Sequence, residues 1–227
     1  MSMKEAMYKR HTVRKYTDKA IPAEITEQLN RRITENNQKY NLAIRFKEND
    51  TNAFHSIIKL ILAKGVKNYF IMVGEDAPDL DERLGYSGAD LMLYAQTLGL
   101  NTWWVGGTFN RKKISGMIPG AKVIGVIAVG YGATQGAPHK TKKSEEVSSY
   151  HGTAPSWFRT GVEAALLAPT ALAKQAFFIK GKGHGVSITC DNGIFSGADK
   201  GLIKYHFELG AGKGNFDWVP SVDMAEV

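Results

Sequence analysis

Apolar and polar positions along the chain alternate with two periods, one suited to helices and one to strands. Lys4 to Tyr16 reads as a short helix followed by a turn. Ile21 to Thr34 opens with Pro22 and repeats Ile25, Leu29 and Ile33 at helical spacing. Leu42 to Phe46 alternates as a half-buried strand would, Phe54 to Leu62 predicts a short helix, and Val66 to Val73 is a β-branched and aromatic strand ending at Gly74. The clearest helix runs from about Asp79 to Leu98, with Leu80, Leu84, Gly88, Leu91, Met92, Ala95 and Leu98 on one face and Gly99 as its stop. Thr102 to Val105 and Val123 to Val129 follow as strands.

From Ala133 to Pro155 the periodicity disappears into Ser, Thr, Lys and Gly, which predicts a long surface connector. The pattern then restarts: a helix over Trp157 to Leu167, strands over Phe177 to Lys180 and Val186 to Cys190, and a second long helix over Asn192 to Leu209. Tyr86-Ser87-Gly88-Ala89-Asp90 and Phe195-Ser196-Gly197-Ala198-Asp199 differ by one aromatic exchange, 109 positions apart. They suggest an internal duplication, with Gly88 and Gly197 letting the two long helices approach closely. The expected organisation is an α+β fold of two related halves, a mixed or antiparallel sheet flanked by helices. Residues 1–132 form the first half, 133–155 the connector and 156–227 the second half.

A chain of 227 residues with 43% hydrophobic and 22% charged content suits one large globular unit. The formal charge of +7 raises the question of nucleic acid. The basic residues are dispersed, however, and the run Lys140 to Lys143 meets Glu145 and Glu146 at once, without aromatic interleaving. No nucleic-acid or membrane partner is expected, since the apolar runs are too short to span a bilayer and no secretory leader is visible. A cytoplasmic location is expected. The single cysteine, Cys190, ends an apolar run and reads as a buried, inert thiol.

Nucleotide-binding glycine fingerprints, P-loops, zincin and serine-hydrolase motifs are all missing, and the six histidines show no metal-ligand spacing. Chemistry in such a chain has to come from a bound cofactor. Three segments suit one. Lys9 to Tyr16 carries Arg10 and Arg14 with Thr12 between them, matched to a phosphate or polyol. Ala168-Pro169-Thr170-Ala171 stops a helix with small residues, and Thr102 to Gly107 ends a strand in paired glycines. Each alone is also an ordinary basic arm, loop or strand end.

Together the three segments resemble the FMN-dependent nitroreductase superfamily, in particular a branch carrying both halves of the usual dimer in one chain. Arg10, Thr12, Arg14 and Tyr16 resemble its opening Arg-rich motif. Leu91 to Tyr131 is similar to its middle section, and Lys140-Thr141-Lys142 to its closing Lys-x-Arg. The resemblance implies a non-covalent FMN site made by Arg10, His11, Thr12, Arg14, Val105, Gly106, Gly107, Lys140 and Lys142. Pro169, Thr170, Ala171 and Gln175 would be supplied by the second half in cis rather than by a partner subunit. Ala173 and Ala176-Phe177 depart from the family's asparagine and Pro-Trp.

The activity so implied is hydride transfer from NADH or NADPH through the flavin to a nitroaromatic, quinone or similar small acceptor. No side chain acts as nucleophile. The chain would act as a monomeric pseudo-dimer with one FMN. Reductive dehalogenation, ene reduction and flavin binding without turnover, for storage or sensing, are the alternatives.

Overall fold

The computed structural model describes residues 1–221, so the last six positions of the second half lie outside the described residues. The first half begins with α1 (Met3–Lys9) and α2 (Ala23–Tyr40), then β1 (Arg45–Lys47), α3 (Ser56–Ile61) and β2 (Tyr69–Gly74). The long α4 (Leu80–Thr97), β3 (Asn101–Val105), α5 (Arg111–Gly116) and β4 (Lys122–Gly130) complete it. The second half contains α6 (Ser144–Val147), β5 (Ser148–His151), α7 (Ser156–Ala165), β6 (Phe177–Lys182), β7 (Gly185–Cys190), α8 (Ser196–Ala211) and β8 (Asp217–Trp218). No helix among the described residues is long and apolar enough to cross a membrane.

Two four-stranded sheets result. The first, in the order β1-β2-β4-β3, is antiparallel throughout, with a register shift between Met72 and Val73. The second, β5-β6-β7-β8, is mixed: β6 and β7 are antiparallel, while β5 and β8 run parallel to their neighbours. The fold is therefore the expected α+β class. Every residue of β2 is buried, because helices cover one face and the Val13–Phe54–Trp103 cluster the other. This explains why the strand reads as a continuous apolar run rather than an alternation.

Several element boundaries differ from the sequence reading. The N-terminal helix ends at Lys9 instead of continuing toward Tyr16. Arg10 is already extended, and Thr12 and Tyr16 make isolated bridges to Thr102 and Gly132. Helix α2 continues six residues beyond Thr34, because Asn36 is a buried polar position that donates to Asp90 and so hides the periodicity. The 133–155 stretch is not a bare connector, since it carries α6 and the edge strand β5. Short, polar β5 and two-residue β8 lack any pattern long enough to read.

Helices α4 and α8 lie side by side in the centre and run in the same direction. Asp81 meets Gly197, Glu82 reaches Lys200 and Lys204, and Asp90 accepts from Tyr205 further along both helices. The close approach depends on Gly85 and Gly201 rather than on Gly88 and Gly197. A Cβ on Gly85 would collide with the Ala198 carbonyl, and one on Gly201 with the Glu82 carbonyl. Gly88 instead receives the Trp104 ring, and Gly197 abuts Asp81.

The pentapeptides are not equivalent in space. Tyr86 to Asp90 lies in the middle of α4, whereas Phe195 is the N-cap of α8. The elements themselves repeat with another interval. β2 ends at Gly74 and β7 at Cys190, α4 opens at Leu80 and α8 at Ser196, and β3 opens at Asn101 and β8 at Asp217. Each pair is 116 residues apart.

Gly201→Ala should lower stability by about 2 kcal/mol, because backbone rather than a flexible side chain faces the added methyl. Gly116→Ala, with nothing within 4 Å, should change it by less than about 0.5 kcal/mol. Urea denaturation of the two variants measures the difference.

Candidate functional site

The chain leaving α1 runs beside β3, where Val13 N–H donates to the Thr102 carbonyl. This places Arg10 in the interior at 5% exposure, on the side where α1 packs against α4 and α8. Its Nη1 is buried without any hydrogen-bond partner. Desolvation lowers its pKa to about 10, so it remains a cation at neutral pH, and it makes no salt bridge. The nearby His206 imidazole is also buried, with Nδ1 against the Leu202 carbonyl and Nε2 unpartnered. Burial first, and then the Arg10 charge among the opposing effects, depress its pKa to about 3, so it is neutral. Thr102 Oγ1 is a third orphaned polar atom on this side of β3.

An uncompensated buried cation costs several kcal/mol unless something anionic joins it. Arg10, a buried cation with an unpartnered N–H among the described residues, therefore has the chemistry of an anion site. His11 lies beside it against Gly136, with its pKa lowered by burial, Arg10 and His139 in that order. Lys140 and Arg14 are exposed, and the Arg14 guanidinium sits 5.5 Å from the Trp103 ring centroid.

The second half closes this end from the loop after α7. Gln175 is 1% exposed, and its side chain is fully engaged. Oε1 accepts from Lys142 N–H at 2.7 Å, while Nε2 donates to the Leu166 carbonyl at 2.8 Å and to Thr141 Oγ1 at 3.0 Å. Lys142 Nζ donates to the Gln175 carbonyl, and Thr170 Oγ1 accepts from Gln175 N–H. Gln175 and Lys142 thus tie the stretch before α6 to the loop after α7 and leave Arg10, Thr12 and Lys140 to meet a ligand. Leu172, Ala173 and Gln175 all have left-handed backbone (φ 54°, 53° and 48°), a strained arrangement for residues other than glycine.

The five residues of β3 carry the site about 13 Å further, at roughly 3.3 Å per residue. There Gly106 and Gly107, with Trp104, Ile124, Phe195 and Ala198, line a cleft of about 360 Å³. Val105 is buried and backs it. The Phe195 ring lies over Gly106, where a Cβ would meet it at 2.6 Å. The arrangement suits an elongated ligand with an anionic tail near Arg10 and a flat head near Gly106 and Gly107.

These residues fall within a known family. The family model described as "Putative TM nitroreductase" matches residues 2–211. The chain belongs to this nitroreductase family. A putative nitroreductase of Thermotoga maritima superposes with a TM-score of 0.69 at 19% identity, over 94% of this chain and 85% of that one. A nitroreductase family protein of Streptococcus pneumoniae gives 0.52 at 12% identity, over 64% of this chain and 98% of that one. A putative NADH dehydrogenase/NAD(P)H nitroreductase of Parabacteroides distasonis gives 0.51 at 16%, over 67% and 98%. At these identities the likeness establishes the nitroreductase fold. No curated protein matches the chain in sequence.

Within this nitroreductase fold, Lys142, Thr170 and Gln175 share one hydrogen-bond network, Thr12 bridges Thr102 near the start of β3, and Val105, Gly106 and Gly107 lie at the far end of that strand. Pro169 and Ala171 flank Thr170 on the loop that spans the halves. Sequence reasoning passed over His139, whose Nε2 lies 3.1 Å from the Leu166 carbonyl and 3.2 Å from Gln175 Nε2. Its place directly before Lys140-Thr141-Lys142 was the available signal. Phe195, Trp104 and His206 carried none, because apolar helical and strand positions look alike wherever they face.

His206 gives a pH signature. Its folded pKa is depressed below the unfolded value of 6.5, so its stabilising contribution is complete above that value and is lost as pH falls toward 3. Stability of the flavin-free protein should decline there, with a slope approaching about 1.4 kcal/mol per pH unit. His206→Phe should flatten the decline in thermal denaturation measured between pH 6.5 and 4.

Proposed function

We propose that the chain is an oxidoreductase that uses non-covalent FMN, taking hydride from NADH or NADPH and delivering it to a nitroaromatic, quinone or similar electron-poor acceptor. The observation that carries this reading is Arg10, a buried cation with an unpartnered nitrogen and no carboxylate, inside a nitroreductase fold. Arg10, Thr12 and Lys140 would hold the phosphate, with His11 and Thr170 alongside the chain. Val105, Gly106 and Gly107 would border the ring, and Arg14 its outer edge. When bound, the flavin supplies reversible two-electron chemistry, which no side chain of this site offers. The residues bind and orient it. Trp104 and Phe195 exclude water from the head of the cleft, and the Gln175 network holds the loop after α7 against the stretch before α6.

One flavin per chain is the reading the geometry favours, with the chain acting as a pseudo-dimer and the halves as related units. Relatives from Streptococcus and Parabacteroides are covered almost entirely by about two-thirds of this chain, which leaves the remainder to act as a second-subunit equivalent. A second cleft of about 530 Å³ lies between α2, α4 and α8, but Asp90, Glu208 and Glu35 line it. Arg32, at 2.6 Å from Asp90, and Lys213, at 2.7 Å from Glu208, already neutralise two of these carboxylates. Lys39 lines it too, so its charges balance, and it offers no buried, unpaired cation of the Arg10 kind. Flavin binding without turnover is the second reading, favoured by Ala173, which is exposed and offers no side-chain hydrogen bond where the resembled motif has asparagine.

The purified protein should be yellow, with about one FMN released per chain. Arg10→Met should weaken FMN binding at least tenfold while stabilising the flavin-free protein by about 1 kcal/mol, since a lone buried charge is removed. A purely structural Arg10 would give the opposite sign of stability change. NADH oxidation with a quinone separates catalysis from carriage, because a carrier binds flavin without steady-state turnover.

A further inference from the structure

The loop from Pro169 to Gln175 is held at its far side by one group outside the network already described. Both carboxylate oxygens of Asp199, in the first turn of α8, accept the Ala171 N–H, at 2.9 and 3.1 Å. Among the described residues no other hydrogen bond or ion pair engages that carboxylate. Beyond Ala171 come the left-handed residues Leu172, Ala173 and Gln175, and Leu172 projects its side chain at 85% exposure. A strained segment with an exposed leucine lacks internal reasons to hold its shape, so its shape depends on its ends. Gln175 anchors one end and Asp199 the other.

We propose that Asp199 is a positioning residue, whose carboxylate latches the loop in the form that presents Thr170 and its neighbours to the flavin. This rests on the flavin reading above. The first half contains a counterpart. Arg83 lies 116 residues before Asp199, the interval that relates α4 to α8. It donates to the carbonyls of Tyr40, the last residue of α2, and of Asn41 just beyond it, at 2.7 and 2.9 Å. Positions 116 apart on α4 and α8 thus each hold a segment earlier in the chain, with opposite charge. The cationic latch closes the half whose loop lacks the flavin motif, and the anionic latch closes the half that has it.

An ionised carboxylate is a much stronger acceptor than a neutral acid, so the latch should weaken on protonation. Burial without a cation raises the Asp199 pKa to about 6. Cys190 of β7 lies within the field of Asp199, of Asp191 just beyond that strand, and of Lys200 and Glu82, which pair at 2.8 Å. The Cys190 thiol is pushed up to about 12 and remains neutral. Asp199 itself changes charge between pH 5 and 7.

The test measures FMN dissociation constants by flavin-fluorescence quenching from pH 5 to 8, for the full chain and for Asp199→Asn, Asp199→Ala and Arg83→Ala. The FMN phosphate titrates near 6 in every case, so the difference from wild type is what counts. Wild type should lose about tenfold more affinity than Asp199→Asn between pH 7.5 and 5.5. Asp199→Ala should bind about tenfold more weakly than wild type at pH 7.5, and Arg83→Ala should bind as wild type does. Hydrogen exchange of the 168–176 segment in flavin-free protein at pH 7.5 reads the latch independently and should rise in Asp199→Ala alone. Unchanged exchange and parallel pH profiles would overturn the latch. Rapid exchange in Asp199→Ala, in a protein that binds no FMN, would sustain the latch and overturn the flavin reading instead.

Discussion

The close backbone contact of α4 with α8 is the constraint on which the rest of the molecule depends. Gly85 and Gly201 let each helix rest on the other's peptide groups, and the two run in the same direction. Each helix carries its own sheet: α4 lies over β3 and β4 through Trp104 and Ile127, and α8 over β7 and the Phe158–Phe216 aromatic cluster. Bringing the axes together therefore fixes the relative position of both sheets. The loop after α7 can reach the chain after α1 because the helices beneath them are in contact. A single methyl at Gly201 would separate groups that lie far from it.

Elements around α4 and α8 recur at one interval and carry different charges. Positions 116 apart on these helices hold segments earlier in the chain, as Arg83 at the end of α2 and Asp199 on the loop after α7. The same interval relates Asp90 to His206. Asp90 gathers Arg32, Asn36 and Tyr205 into a closed, neutralised network. His206 is left neutral beside Arg10, with one nitrogen free. Positions at one interval thus carry different charges. The cleft between α2, α4 and α8 pairs its carboxylates internally, whereas Arg10 is a buried cation with no partner for its Nη1 among the described residues.

Much of the framework was legible in the sequence because periodicity reports burial, and α4, β2, β4 and α8 are buried along most of their lengths. The α+β class followed from that. The helix-crossing glycines were misread because Gly88 and Gly85 are one turn apart on the same helix, and sequence does not say which side faces α8. The pentapeptide match pointed to an interval of 109 where the elements repeat at 116. A helix tolerates sliding of small residues by two turns, seven residues, without losing its apolar face, so local identity was a poorer guide than element order. Gln175 and Lys142 were read as ligands because they are polar and near the resembled motifs. They instead bond to each other and to Leu166 and Thr141, a distinction that depends on three-dimensional partners. Asp199 was hidden inside the pentapeptide, where it looked like a copy of Asp90.

The site concentrates arrangements that folding alone disfavours: a buried guanidinium without a counter-ion, a carboxylate without a cation, and three left-handed non-glycine residues within one loop. Arg10 and Asp199 are of opposite sign and could in principle have neutralised each other. Such a pair would close the space between the halves and remove the reason for the cleft. Held apart, one charge is available to an anionic ligand and the other organises the loop that covers it. The cost of these unpaired groups is offset by the apolar core around α4 and α8. Stability is supplied at the helix contact and given up at the cleft, and the division makes sense only if the cleft is completed by a ligand carrying the missing negative charge.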